Sequence, residues 1–395
     1  FQNLDQRPVT RLNTIIDALD FARALIRCAS VTPEDGGSIE TLAEALNSLG
    51  FKCYPLTFSE PSTPDVHNLF ARWGTGEPHF CFAGHTDVVP VGDEDSWSVG
   101  PFDAKINNDI LYGRGATDMK GAVASFTAAV SRFLARRVHE FTGSISFLIT
   151  GDEEGPAING TAKMLQWLDE QGQIPDVCLV GEPTNPTRLG EMVKIGRRGS
   201  LSGTLTVTGI QGHTAYPHLA DNPLPRLVRM LAAIEGETLD DGTEHFQPSN
   251  LQLTTIDVGN TATNIIPGRA AASFNIRFND LHSSDSLVAW LKRKCNEVGG
   301  EYGLNLHVTG EAFLTPPGDF SDLLSDVIER VTGVRPELST TGGTSDARFI
   351  KNYCPVAEFG LISETMHKTD ERVALVDLAA LTEIYEAVLD GYFRP

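Results

Sequence analysis

Cysteine is scarce and unpatterned. The 395 residues hold six, Cys28, Cys53, Cys81, Cys178, Cys295 and Cys354, with no CxxC pair, which argues against a disulfide framework and against a thiolate-rich structural zinc site. They read as reduced, buried thiols. Basic charge is also short: 31 Lys and Arg against 52 Asp and Glu leave a formal net charge of −21 and a pI near 4.8. A phosphate backbone or an anionic bilayer is repelled on balance, so neither nucleic acid nor membrane is expected as a partner. A small anionic substrate remains compatible, because a few Arg residues can govern the field inside a pocket. No apolar run approaches the ~18 residues of a membrane span, and the opening segment has no basic stretch followed by an apolar core; both points lead to the expectation of a cytoplasmic protein. There is no GxSxG elbow and no cysteine with an evident His partner, which disfavours a serine or cysteine hydrolase. The chain opens on Phe1, and residues 1–9 are set aside from the fold reading.

With 41% hydrophobic residues, a chain of this length can bury a large core and form two domains. Apolar positions Leu12, Ile15, Ile16, Leu19, Ala22, Leu25 and Ile26 recur at helical spacing, and "SIETLAEALNSLG" reads as a second helix. "HFCFAG", "SISFLIT" and "DVCLVG" are short, near-continuous apolar runs separated by helical stretches such as "GAVASFTAAVSRFLARR", the α/β pattern of a buried sheet covered by helices. From about residue 198 the order becomes β-α-β-β-α-β, a ferredoxin-like unit. After it the first style resumes. A smaller α+β domain is therefore expected inside a larger α/β domain, with boundaries 1–197, 198–312 and 313–395.

Polar groups stand where the apolar runs stop: His85 after "HFCFAG", Asp118 after "ILYGRGAT", Glu153 and Glu154 after "SISFLITGD", and Glu182 after "DVCLVG". The carboxyl ends of strands in an open α/β sheet line one crevice, so these residues can converge. Carboxylates packed together raise one another's pKa unless something positive sits among them, and a divalent ion is the economical answer. An imidazole and carboxylate set without thiolates suits a catalytic site. His367, in "SETMHKTDE", follows another apolar strand and offers a second imidazole. Asp87 is placed to fix the tautomer of His85. Of the adjacent Glu153 and Glu154, one can ligate while the other stays free as a base.

The segments "FAGHTDVVPVGD", "LYGRGATDMKGAVASF", "TGDEEGPAINGT", "GEPT" with "KIGRRGSLSG", "QGHTAYPHLADNP", "TNIIPG", "FNIRF", "GGTSDARFI" and "TMHKTDE" together resemble the dizinc aminoacylase and carboxypeptidase superfamily over nearly the whole chain. The resemblance implies a zinc-exopeptidase-like catalytic domain with an inserted ferredoxin-like domain that serves as lid and dimerisation module. It implies two divalent ions, zinc foremost and cobalt as the alternative, with Asp118 bridging them. His85 and Glu182 would complete one site, Glu154 and His367 the other. Glu153 would be the general base, Asp87 the partner of His85, and a non-proline cis peptide would follow Asp118. His213, in the inserted domain, would reach the oxyanion from the partner subunit of a homodimer.

The implied reaction is amide hydrolysis of a small anionic N-acyl amino acid, and the resemblance runs furthest toward the removal of succinate from N-succinyl-LL-2,6-diaminopimelate in lysine biosynthesis. A substrate with several carboxylates calls for fixed cations and amide donors, for which Arg197, Arg198, Asn264, Arg277, Thr344, Ser345 and Arg348 are the candidates. Acetylornithine deacetylases, aminoacylases and glutamate-releasing carboxypeptidases share the metal core and remain alternatives. A catalytically silent binding relative is an alternative of another class, although such a protein has no use for a free Glu153.

Overall fold

The computed structural model describes residues 14–138 and 140–394; residues 1–9 and the expected helical position Leu12 lie outside the described residues. The chain divides into two compact units. One runs through Ile195 and takes in Thr315–Leu338 and the chain from Ser345 onward; the other comprises Gly196–Leu314 and the short stretch Ser339–Thr344.

The first unit is built on an eight-stranded mixed sheet in the order Lys52–Phe58, Val66–Trp73, Ser144–Thr150, His79–His85, Val177–Val180, Val356–Glu358, Met192–Lys194, Glu337–Ser339. The four strands from Ser144–Thr150 to Val356–Glu358 run parallel. Every residue of Ser144–Thr150 and His79–His85 is buried, which is why those stretches read as unbroken apolar runs. The antiparallel pair Lys52–Phe58 and Val66–Trp73 extends the sheet at one edge. It escapes sequence reasoning because Lys52, Pro55, His67 and Arg72 interrupt its apolar pattern.

Helix Lys120–Arg137 is buried without a break from Lys120 to Ser131 and packs on helices Ala18–Arg27 and Leu375–Tyr392. The first of these begins only at Ala18, where Asp17 caps it by accepting the N–H of Asp20. Phe126 stacks on Phe82 with ring centroids 4.3 Å apart and meets Phe147 and Tyr385 edge-on at 5.1 and 5.6 Å. Such pairs add about 0.5–1.5 kcal/mol each beyond their area burial. The cluster fixes the helix that follows Asp118 against the strands that lead to His85 and to Glu153.

The second unit has the β-α-β-β-α-β order of a ferredoxin-like fold: strand Gly199–Thr208, helix Leu224–Glu235, strands Asn250–Asp257 and Arg269–Phe278, helix Ser284–Val298 and strand Tyr302–Gly310. Its antiparallel sheet runs in the order Asn250–Asp257, Arg269–Phe278, Gly199–Thr208, Tyr302–Gly310. Burial alternates along the two central strands, and the inward side chains, among them Leu201, Leu205, Phe274 and Ile276, meet Leu227, Met230, Leu287 and Trp290 of the helices. Gly196–Arg197 and Phe313–Leu314 pair where the chain enters and leaves this unit.

Candidate active site

The carboxyl ends of the parallel strands and the loops beside them bring six of the expected groups together. His85 ends its strand, Glu153 and Glu154 follow Thr150, Glu182 follows Val180, His367 lies beyond Glu358, and Asp118 precedes the buried helix. His85 Nε2 is 3.2 Å from Asp118 Oδ1 and 3.7 Å from Glu182 Oε1. His367 Nε2 is 3.1 Å from Asp118 Oδ2 and 2.8 Å from Glu154 Oε1. Asp118 thus faces both imidazoles, one through each oxygen. The peptide bond between Asp118 and Met119 is cis.

Two glycines open the space this crowding needs. A Cβ on Gly84 would run into the Met119 side chain, and one on Gly181 would meet the same methyl group at 2.7 Å. The residues preceding His85 and Glu182 therefore have to be small for Met119 to lie where it does.

Asp87 departs from expectation. The main-chain carbonyl of Asp87, 2.8 Å from His85 Nδ1, accepts its hydrogen bond, while the nearest carboxylate oxygen is 3.6 Å away. The carboxylate instead accepts the backbone N–H groups of Glu153 at 3.2 Å and Glu154 at 3.0 Å. Residue 87 thus orients the imidazole through its backbone and anchors the Glu153–Glu154 loop through its side chain.

The electrostatics are those of a site short of positive charge. Burial opposes charge on His85, yet the Asp118 hydrogen bond and the Glu182 carboxylate carry its pKa well above the ordinary value. Hydrogen bonds to Asp118 and Glu154 raise His367 to about 10. Glu153 is pushed well up by burial and by Glu182, and burial raises Asp87 to about 6. The carboxylates thus favour the charged form of both imidazoles, and a divalent cation could supply that positive charge instead. One ligand atom each from His85, Asp118 and Glu154 lie within 4.8 Å of one another, and so do one each from His85, Glu153 and Glu182. The donor set fits a divalent ion bound by nitrogen and oxygen. Glu153, expected to be free, comes within reach of the second group.

The remaining expected residues are spread over both units. In the second unit, Arg198 sits just ahead of the strand in which Ser200 pairs with Arg277. Burial and the nearby Arg277 charge lower the Arg198 pKa, and its buried Nε has no partner. Arg197 is tied to the Gly343 carbonyl at 2.9 Å. His213 is exposed; its Nδ1 accepts the N–H of Ala215 at 3.0 Å, which leaves Nε2–H as the donor. Asn264 is exposed and its carbonyl receives the Thr214 N–H at 3.0 Å. Thr344 is half-buried and closes the stretch that joins this unit. In the first unit, Ser345 is committed to Glu358 at 2.9 Å, while Arg348 lies over the Phe349 ring with a buried, unpartnered Nε. Sequence reasoning passes over Arg114 and Glu371, a buried ion pair at 2.8 Å beside Asp118. The only signal for it is one Arg and one Glu in the segments that also carry Asp118 and His367.

The family model for peptidase family M20/M25/M40 matches residues 81–391. A relative named succinyl-diaminopimelate desuccinylase, from Parvibaculum lavamentivorans, is 58% identical over 381 residues, covering 95% of this chain and 96% of its own. The aminopeptidase PepT structure from Bacillus cereus superposes with a TM-score of 0.77 at 20% identity, over 94% of this chain and 97% of that one. A structure from Bacillus subtilis, described as a dinuclear metal binding peptidase, gives 0.68 at 14% identity, over 95% and 98%. At such low identities the two structures speak for the fold alone. The match over most of the chain, on top of a site assembled at the ends of its parallel strands, makes this chain a member of peptidase family M20/M25/M40.

Proposed function

We propose that the chain is a metal-dependent amide hydrolase that removes succinate from N-succinyl-LL-2,6-diaminopimelate to give LL-diaminopimelate. The observation that carries the reading is the meeting of His85, Asp118, Glu154, Glu182 and His367, with the Glu153 carboxylate beside His85 and Glu182, in a chain 58% identical to a desuccinylase. Asp118 is suited to bridge two divalent ions, with His85 and Glu182 on one and Glu154 and His367 on the other; zinc fits the donors, and cobalt is the alternative. When bound, such a pair lowers the pKa of a water and polarises the amide carbonyl.

Glu153 then takes the proton from the attacking water. As the C–N bond breaks it delivers that proton to the departing amine, and the second proton of the water, left on the new carboxyl group, passes to the amine as well, so that succinate leaves as the carboxylate and the amine as the ammonium. Asp87 holds the Glu153 backbone while this happens. Arg198 and Arg277 stand close together, and among the described residues neither is in an ion pair, so the two guanidinium groups suit a substrate carboxylate. His213 presents Nε2–H for the oxyanion, and we assign it to the site of a second subunit in a homodimer formed through the inserted unit. The test is a comparison of kcat/KM for the zinc-loaded protein on N-succinyl-LL-diaminopimelate, N-acetylornithine and a panel of N-acyl amino acids. The succinylated substrate should lead by orders of magnitude, and a preference for N-acetylornithine would overturn the assignment.

A further inference from the structure

Three loops that carry candidate ligands meet at one buried ion pair. Glu371 is fully buried and Arg114 is 2% exposed. One carboxylate oxygen of Glu371 accepts the main-chain N–H of Thr117 at 2.9 Å and of Asp118 at 3.0 Å, and the other accepts Arg114 Nη1 at 2.8 Å. The same Nη1 donates to the carbonyl of Lys368, next to His367, at 3.1 Å. Nη2 donates at 3.3 Å to the carbonyl of Pro90, on the loop that leaves His85 and Asp87. The guanidinium also lies over Trp97, 5.1 Å from its ring centroid.

Both Glu371 oxygens are taken up by protein donors, so this carboxylate is turned away from ligation. Its charge is matched by Arg114, so the pair adds no net charge to the neighbouring anions. The planar guanidinium can bond several acceptors at fixed angles, which a lysine cannot reproduce. We propose that Arg114 and Glu371 are positioning residues that hold the His85, Asp118 and His367 loops in register, so that ligands distant in the chain converge on a shared metal centre. The inference rests on the reading of the site as a divalent metal centre.

The test uses the full chain stripped of metal and titrated with Zn2+ by calorimetry, with the visible absorption of the Co2+-loaded protein as a second readout. Arg114→Lys keeps a positive charge beside Glu371 but gives up the simultaneous links to Lys368 and Pro90. Glu371→Gln keeps an acceptor for Thr117 and Asp118 but turns a donor toward Arg114. Each should weaken metal binding by about 10- to 100-fold, the usual effect of losing a partner behind the ligands, and should alter the Co2+ spectrum. Arg114→Lys should melt near the parent when metal-free, and it decides the matter if Glu371→Gln does not fold. Variants that bind Zn2+ as tightly as the parent with an unchanged Co2+ spectrum would overturn the proposal, even if they melt early. A parent chain that binds no divalent ion would overturn the metal-centre reading itself.

Discussion

Glu153→Gln separates a base from a ligand with the least disturbance. Gln has the same size and cannot accept the proton from water. The loop should stay in place, because its anchors are backbone groups: the N–H of residue 153 to Asp87 Oδ1 at 3.2 Å and that of Glu154 to Oδ2 at 3.0 Å. The His367–Glu154 contact at 2.8 Å is untouched. Burial and the Glu182 charge already push Glu153 toward its neutral form in the metal-free site, so a neutral amide there should not weaken the metal-free fold. Removing a general base costs 10²- to 10⁴-fold in rate, or about 3–5 kcal/mol of transition-state stabilisation. The assay pairs initial rates of amine release with metal content by mass spectrometry, and Glu154→Gln is the contrast. Glu153→Gln should keep the metal content of the parent and lose turnover, whereas Glu154→Gln should lose metal. A rate within tenfold of the parent would refute the base. Loss of one metal equivalent per chain would make Glu153 a ligand beside His85 and Glu182, with which it shares a candidate ion position.

A second prediction concerns acid. Burial, aided by Arg72, lowers the pKa of His79 from 6.5 to about 4, and His79 is 3% exposed. A base whose pKa falls on folding binds fewer protons in the native state than in the unfolded one. Stability should therefore be lost as pH drops from about 6.5 to 4, by up to about 3 kcal/mol from this group, and urea melts of His79→Gln across that range should show a flatter acid limb. An unchanged limb would remove His79 from the cause. For His213→Ala, turnover should fall by about 10²- to 10³-fold, the cost of an oxyanion donor, with metal content unchanged. Mixing it with Glu153→Gln chains should restore part of the activity if each subunit supplies the other; no recovery would overturn that assignment.

How far the fold can be read from sequence follows from burial. The four parallel strands are legible because residues such as Phe80, Phe82, Phe147 and Leu179 are covered on both faces and leave a plain apolar run. The ferredoxin-like unit is legible for the opposite reason: helices cover one face of its sheet, so strand Arg269–Phe278 alternates between buried and half-exposed positions. In the edge pair Lys52–Phe58 and Val66–Trp73 both patterns are weakened by polar residues and proline. From Tyr54 to Phe58 half-buried Tyr54, Leu56 and Phe58 alternate with exposed Pro55 and Thr57, but the proline and the partial exposure of every inward position weaken the signal.

The candidate site divides along a similar line. His85, Glu154 and Glu182 are visible in the sequence because each is a polar residue where an apolar run ends, and the sheet topology makes such ends neighbours; Asp118, beyond a strand of a separate three-stranded sheet, and His367, beyond the turn after Glu358, reach the same place through their loops. The work of Asp87 is not visible in that way. Its spacing from His85 suggests a carboxylate–imidazole bond, yet the chain turns so that the Asp87 carbonyl reaches the ring and the carboxylate crosses to the loop after Thr150. Arg114 and Glu371 lie further out of reach, since apart from each other their partners are backbone groups of Thr117, Asp118, Lys368 and Pro90, and a backbone acceptor or donor leaves no mark on residue type. What sequence reveals is the set of side chains a cation would demand. The groups that hold those side chains at the right spacing work through the main chain, and a search for supporting residues in this fold should therefore begin with buried charges whose partners are peptide groups.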